Sequence, residues 1–144
     1  MKLPDTLSDE RFLYLSDILP TAWQGVQWAN VPEGGSLAVF GLGPVGQLAV
    51  RSAKHLGIER VFAIDLVPER LALAQQWGAE VIDTSAVKDA AATLKEMTDG
   101  RGPDSVLDAV GMEAHGNPVA EQVIDLASRL PKPVAKAAIE RVGI

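Results

Sequence analysis

The feature that most constrains this chain is a short apolar run followed at once by three closely spaced glycines. The run Leu37 to Phe40 is continuous and apolar, as in a strand covered on both faces, and Gly41, Gly43 and Gly46 follow in the spacing G-x-G-x-x-G. The first glycine permits a tight turn, the second lets the backbone approach a pyrophosphate, and the third lets a helix pack against the strand. The pattern predicts a strand, a phosphate-binding turn and a helix.

The helix after the turn has clear limits. Proline suits the first turn of a helix, so the helix is predicted to begin at Pro44 or Val45 and to run to Leu56, where Gly57 stops it. The N–H groups of its first turn lack partners within the helix and carry a partial positive charge. This end of the helix is therefore suited to receive a phosphate.

Glycine-rich loops of protein kinases and of P-loop NTPases are the competing interpretations of the motif. A kinase loop is followed by a V-A-I-K-like strand, and a P-loop ends in Gly-Lys-Ser/Thr. Neither continuation occurs here. The context favours a dinucleotide-binding turn.

The next strand ends in an acid. Val61 to Ile64 is apolar, and Asp65 follows it, nineteen positions after Gly46. A carboxylate at this point can accept hydrogen bonds from an adenosine ribose and repel a 2′-phosphate. The alternative interpretation is that Asp65 only opens a turn and caps the helix that begins at Pro68.

Strand and helix signals alternate along the rest of the chain. The further predicted elements are a helix from Ser16 or Asp17 to Ala29, a helix Val67 to Trp77, a strand Ala79 to Asp83, a helix capped by Thr84 or Ser85, a strand Ser105 to Val110, and two final helices over 118–130 and 134–142. The alternation predicts an α/β fold of the Rossmann type, a parallel sheet with helices on both faces that stops after its fourth strand.

Composition excludes several classes of function. The net charge is −6, without a basic cluster, which argues against a nucleic-acid or anionic membrane surface. The absence of cysteine excludes disulfides and thiolate zinc sites within this sequence and fits a cytoplasmic protein. No segment has the apolar length that a bilayer span needs.

A fourth strand at the open edge of a parallel sheet can pair with another chain. We therefore expect a homodimer or a larger homo-oligomer that covers this edge. Light scattering that shows a monomer at high concentration would contradict the expectation.

Several motifs in order carry a family resemblance. The four segments, in order, are LSDILPTAWQGV, VPEGGSLAVFGLGPVGQLAVRSAKHLG, VFAIDLVPERLALAQQWGAEVID and DGRGPDSVLDAVG. With these segments the chain resembles the nucleotide-binding domain of zinc-dependent medium-chain alcohol dehydrogenases and is most similar to the formaldehyde dehydrogenase branch. The resemblance covers about Leu7 to Pro118. It implies NAD as the cofactor, with zinc in the full-length parent only. It also implies that residues 1–15 lead in from a separate catalytic domain and that residues 16–144 form a partial dinucleotide-binding domain.

The resemblance assigns roles to individual residues. It implies that Asp65 holds the adenosine ribose, that Arg70 lies beside the adenosine and that Thr21 packs near the nicotinamide. It further implies that Val110 and Gly111 line the cofactor crevice. The residues implied to hold the pyrophosphate are Gly41, Leu42, Gly43, Pro44, Val45 and Gly46. From the residues alone, Arg70 is equally well explained as a solvated charge.

The resemblance also implies that Asp17 takes the position of a catalytic zinc ligand. Most of the family has a cysteine at this point, and the formaldehyde dehydrogenase branch is expected to have aspartate. One carboxylate is not a metal site, because catalytic zinc needs three protein ligands, and the resemblance places the others in the separate catalytic domain. The alternative is that Asp17 caps the helix that follows it.

The expected function is NAD binding within a zinc alcohol dehydrogenase, without turnover of alcohols by this chain alone. A competing hypothesis is a non-catalytic nucleotide-sensing or assembly module with the same fold. A short-chain dehydrogenase needs a Tyr-x-x-x-Lys pair downstream of the glycine turn. The single tyrosine, Tyr14, lies upstream, which argues against that class.

Overall fold

The structure, a computed structural model, describes residues 9–111. The chain divides after Val110 into two units, Met1–Val110 and Gly111–Ile144, and the described helices and strands lie in the first. A 3-10 turn, Asp9–Phe12, comes first. The elements that follow are α1 Ile18–Ala29, β1 Ser36–Phe40, α2 Pro44–His55, β2 Arg60–Asp65, α3 Pro68–Gln76, β3 Glu80–Asp83, α4 Ala90–Glu96 and β4 Ser105–Asp108. The two helices predicted over 118–130 and 134–142 lie outside the described residues.

The strands form one parallel sheet in the order β3-β2-β1-β4. This is the order of the first four strands of a Rossmann fold, so it confirms the predicted fold type. The register pairs Phe40 with Ile64 on one side and with Asp108 on the other. The carboxyl ends of β1, β2 and β4 therefore meet at one edge of the sheet, where ligands of such sheets bind.

Helices cover both faces of the sheet, as predicted. Leu37, Val39 and Val61 pack on one face with buried residues of α1, α2 and α3. Ala38 and Phe62 point to the opposite face, where they pack with Leu94 of α4. Successive strand residues alternate between the faces, so β1, β2 and β3 contribute to both core clusters. Among the described residues, β4 contributes Leu107 to the first cluster and none to the second.

The predicted start of α4 is wrong. The helix begins at Ala90, and Asp89 is its N-cap, because the Asp89 Oδ1 accepts the N–H groups of Ala91 and Ala92 at 2.9 and 3.0 Å. The predicted caps, Thr84 and Ser85, lie instead in a turn after β3. There the Asp83 carboxylate accepts the Ser85 N–H at 2.8 Å, which supports a local turn in place of a helix.

Strand β4 is shorter than predicted and ends at Asp108. The Asp108 Oδ1 accepts the Val110 N–H at 2.9 Å, so the side chain turns the backbone away from the strand direction. Ala109 still donates its N–H to the Phe40 carbonyl at 2.8 Å, which keeps the end of β4 beside the end of β1.

Strand β4 has a free edge within the part of the chain that the structure describes, because it pairs there with β1 alone. Val106 on this strand is 57% exposed. None of the helices over residues 9–111 is long and apolar enough to cross a bilayer.

Candidate cofactor-binding site

The glycine loop begins as a continuation of β1. Gly41 donates its N–H to the Ile64 carbonyl at 2.9 Å and then turns with φ +81°, in the left-handed region that favours glycine. A Cβ at Gly41 would lie 2.9 Å from Val110 Cγ2 and 3.0 Å from the Ala109 backbone. The structure therefore brings Val110, a predicted crevice residue, directly against the first glycine of the loop.

The other two glycines of the motif have opposite surroundings. A Cβ at Gly46 would overlap the carbonyl oxygen of Gly41, so α2 can approach β1 only with glycine there. Among residues 9–111, a Cβ at Gly43 would have no heavy atom within 4 Å, and Gly43 has the ordinary extended angles φ −66° and ψ −171°. Packing among the described residues therefore explains Gly46 but not Gly43, whose missing side chain leaves open space.

The N-terminus of α2 presents backbone donors toward this space. The first N–H groups of a helix have no partners within it, and those of Val45 and Gly46 belong to this set, whereas Pro44 has no N–H. The Leu42 N–H is occupied, since it donates to Asp65 Oδ2 at 2.6 Å, and the Leu42 side chain is buried in the core. Leu42 thus shapes the loop, and its neighbours supply the free donors.

Asp65 joins the glycine loop to the turn after β2. Besides the Leu42 N–H, its carboxylate accepts the N–H groups of Leu66 and Val67 at 2.7 and 2.9 Å. Burial raises the pKa of Asp65, but the hydrogen bonds from Leu42, Val67 and Leu66 and the charge of Arg70 outweigh burial and hold the pKa below its ordinary value. The alternative interpretation was right in part, because Asp65 opens the turn, but the N-cap of α3 is Val67.

A carboxylate offers about four acceptor positions, and backbone N–H groups fill three of those on Asp65. One acceptor position of the carboxylate is left. Arg70 Nη1 lies 3.7 Å from Asp65 Oδ2, with half of the Arg70 side chain exposed. The structure thus brings Asp65 and Arg70 together, although an ion pair of this length and exposure contributes little to stability.

Gln47 was missed by sequence reasoning. Its Nε2 donates to the Arg70 carbonyl at 2.7 Å and, over a longer 3.4 Å, to the Leu42 carbonyl. The sequence feature that could have indicated Gln47 is a polar residue directly after the last glycine of the motif. It lies on α2, which packs against both β1 and α3.

Separate cavities lie beside the two halves of the loop. One, of about 580 Å³, is lined by Leu42, Gly43 and Pro44 together with Arg70, and Arg51 stacks at its side over the Trp77 ring at 4.1 Å. The other, of about 550 Å³, is lined by Thr21, Val45, Leu107 and Asp108. Gly111, the remaining predicted crevice residue, belongs to the second unit of the chain.

A cavity of about 600 Å³ between α1 and α2 contains none of the predicted cofactor residues. Tyr14, Trp23 and His55 are among the residues that line it. We place the candidate site at the glycine loop, because the free donors and the acid converge there.

Asp17 precedes α1 but does not cap it with its side chain. The Asp17 Oδ1 accepts the Thr21 hydroxyl at 3.1 Å, and no helix N–H donates to this carboxylate. Over residues 9–111, no group of three histidine, aspartate or glutamate side chains is arranged to hold a metal. The described residues therefore do not fit a zinc ion.

A parallel sheet with a glycine turn after its first strand and an acid after its second defines a nucleotide-binding fold of the Rossmann type. The family model described as zinc-binding dehydrogenase matches residues 44–126. The chain belongs to this family.

Known relatives agree with this assignment. A probable zinc-binding alcohol dehydrogenase of Mycobacterium tuberculosis is 45% identical over 114 residues, which cover 79% of this chain and 29% of that protein. The glutathione-independent formaldehyde dehydrogenase of Pseudomonas aeruginosa is 39% identical over 103 residues, which cover 72% of this chain and 26% of that protein. The solved structure of the alcohol dehydrogenase TADH from Thermus sp. ATN1 matches with a TM-score of 0.71 and 38% identity over 87% of this chain and 35% of that one.

The chain spans less than a third of the length of the two curated relatives. Both are oxidoreductases by name, so the family to which the chain belongs is enzymatic. The match to the formaldehyde dehydrogenase supports that branch only weakly, because its identity is lower than that of the mycobacterial alcohol dehydrogenase.

Proposed function

We propose that this chain binds NAD as part of a zinc-dependent alcohol or aldehyde oxidoreductase, of the formaldehyde dehydrogenase-like branch, that transfers a hydride between NAD and a small alcohol. The main support is the open space at Gly43, which no packing within the described part of the chain explains, beside free helix N–H groups. The carboxylate of Asp65 lies at the adjoining strand end, where this class of fold binds a ribose.

The proposal gives specific roles to several of the predicted residues. Gly43, Val45 and Gly46 offer N–H groups to the pyrophosphate, and Asp65 accepts a ribose hydroxyl beside Arg70. Thr21 and Val45, which line one cavity, would bound the nicotinamide end. Val110, which lies against Gly41, would line the cofactor crevice. NAD supplies the hydride acceptor, and the chain contributes binding and orientation.

The proposal assigns residues 16–144 to a partial dinucleotide-binding domain and residues 1–15 to a lead-in from a catalytic domain. Zinc is proposed for the full-length protein only, since the described residues of this chain do not fit the metal. We expect this chain alone to bind the cofactor without turning over an alcohol.

A homo-oligomer remains part of the proposal. Its support is the free edge of β4 and the exposed Val106 within the described residues. We expect light scattering to give a mass above that of one chain, and a monomer at high concentration would contradict this expectation.

Calorimetric titration with NAD and NADP tests the cofactor. We expect NAD to bind at least about tenfold more tightly, because the Asp65 carboxylate would repel a 2′-phosphate close to it. NADP that binds as tightly as NAD would contradict the role of Asp65. No binding of either dinucleotide at millimolar concentration would contradict the proposed function.

A further inference from the structure

Gln47 connects two parts of the candidate site. Its amide nitrogen lies 2.7 Å from the Arg70 carbonyl oxygen in the first turn of α3 and 3.4 Å from the Leu42 carbonyl oxygen in the glycine loop. Both partners are carbonyl oxygens, so only the NH₂ end of the amide can face them. One side chain therefore joins the loop to the segment that carries Arg70.

The backbone of Leu42 is held from both sides. Its N–H donates to Asp65 Oδ2 at 2.6 Å, and its carbonyl accepts from Gln47. That carbonyl and the N–H of Gly43 belong to the same planar trans peptide and point in opposite directions. By fixing the carbonyl, Gln47 therefore also fixes the direction of the Gly43 N–H, which points away from Gln47.

The other end of the Gln47 amide gains nothing from the fold. Its Oε1 is buried and has no hydrogen-bond partner among residues 9–111. A buried acceptor without a partner lowers stability, whereas a leucine would fill similar space without that cost. The donor end of the amide is thus the part that explains a glutamine at this position.

We propose that Gln47 is a positioning residue that orients the Leu42–Gly43 peptide for a dinucleotide and ties the glycine loop to the turn that presents Arg70. Its effect on cofactor affinity rests on the proposed function. The hydrogen bonds of Gln47 are a property of the free protein, so their effect on the loop can be measured without a ligand.

Amide hydrogen exchange in the free protein tests whether the Gln47 contacts with the Leu42 and Arg70 carbonyls hold the loop. Gln47→Leu removes the donor and keeps the bulk, and Gln47→Glu keeps the shape but sets a carboxylate against two carbonyls. We expect exchange of the Leu42 amide to become about tenfold faster in both variants, because the loop opens locally. Gln76→Leu on the exposed surface of α3 is the matched control and should leave this rate unchanged.

Affinity for NAD provides the second measurement. We expect the dissociation constant to rise about tenfold in both Gln47 variants and to stay the same in Gln76→Leu. A conservative Gln47→Asn variant, whose shorter amide cannot span both carbonyls, should behave like Gln47→Leu.

Unchanged Leu42 exchange in both Gln47 variants would overturn the proposal. Equally accelerated exchange at core amides such as Ala63 would also overturn it, because Gln47 would then stabilise the whole fold and not the loop. Faster Leu42 exchange with unchanged NAD affinity would overturn the cofactor role. If the wild-type chain binds no dinucleotide, the proposed function fails, and Leu42 exchange alone still decides whether Gln47 positions the loop.

Discussion

Gly46→Ala is expected to abolish the native fold or to lower its stability by about 3 kcal/mol or more. The added Cβ would overlap the carbonyl oxygen of Gly41, which is backbone that no change of rotamer can move aside. Relief requires α2 to move away from β1, and both elements lie in the main core cluster. Thermal unfolding followed by circular dichroism should show a midpoint lower by about 10 °C or more, or no cooperative transition.

Gly43→Ala is the matched control for this result. The same chemical change is made three residues earlier, at an open position with ordinary backbone angles, so stability should stay within about 1 kcal/mol of wild type. Equal loss of stability in the two variants would contradict the assignment of Gly46 to packing and of Gly43 to ligand space.

Asp65→Ala is expected to weaken NAD binding and to destabilise the free protein. The variant leaves the N–H groups of Leu42, Leu66 and Val67 without their acceptor, at a cost of about 2–4 kcal/mol. Asp65→Asn should also destabilise, because a single amide oxygen cannot replace the two carboxylate oxygens that accept these bonds. Urea unfolding at neutral pH measures the loss.

A second variant separates the loss of stability from the loss of affinity. Asp89→Ala removes the N-cap of α4 and should cost about 1 kcal/mol, but Asp89 lies outside the candidate site. We expect NAD affinity to be retained in Asp89→Ala and to fall at least about tenfold in Asp65→Ala. Equal affinity in the two variants would show that Asp65 serves the fold alone.

The contribution of Asp65 to folding stability also depends on pH. Because the pKa of this carboxyl is lower in the folded state, its stabilisation is fully present above the unfolded pKa of about 4 and is lost as pH falls through the folded pKa. Asp83 and Asp104, whose hydrogen bonds from Ser85 and Ser36 also lower their pKa, act in the same direction. The stability difference between wild type and Asp65→Ala should therefore shrink below about pH 4, and a constant difference down to pH 2 would contradict this account.

The sequence predicted the fold well where glycine and proline mark the boundaries. Helix α2 starts at Pro44 as predicted and ends one residue before the predicted end, and α3 begins at Pro68, because proline and glycine restrict the backbone locally. The parallel sheet followed from the alternation of strands and helices, whereas the strand order β3-β2-β1-β4 is that of the first four strands of a Rossmann fold.

The errors arose where several residues could form the same local interaction. Thr84, Ser85 and Asp89 can all cap a helix, and the choice of Asp89 depends on the turn that Asp83 holds with Ser85. The length of β4 depends on a bond from the Val110 N–H to the Asp108 side chain, which strand propensity does not reveal.

The candidate site was predictable in its position but not in its internal bonds. The glycine spacing and Asp65 located it, because both follow strands that end at one edge of the sheet. The contacts of Asp65 with Leu42 and of Gln47 with Arg70 each span 23 positions of the chain, so they appear only when the fold is known. These contacts change the interpretation of Asp65 from a ribose ligand alone to a residue that also holds the loop.

The affinity of Gly43→Ala for NAD, measured by calorimetry beside the wild-type chain, tests the central claim most directly. A methyl group at this position fills the space proposed for the pyrophosphate and touches nothing else in the described structure. We predict that wild type binds NAD and that the variant, folded and equally stable, binds it at least about 30-fold more weakly, or by about 2 kcal/mol. Equal NAD affinity in the two proteins would contradict the claim that the glycine loop is the cofactor site.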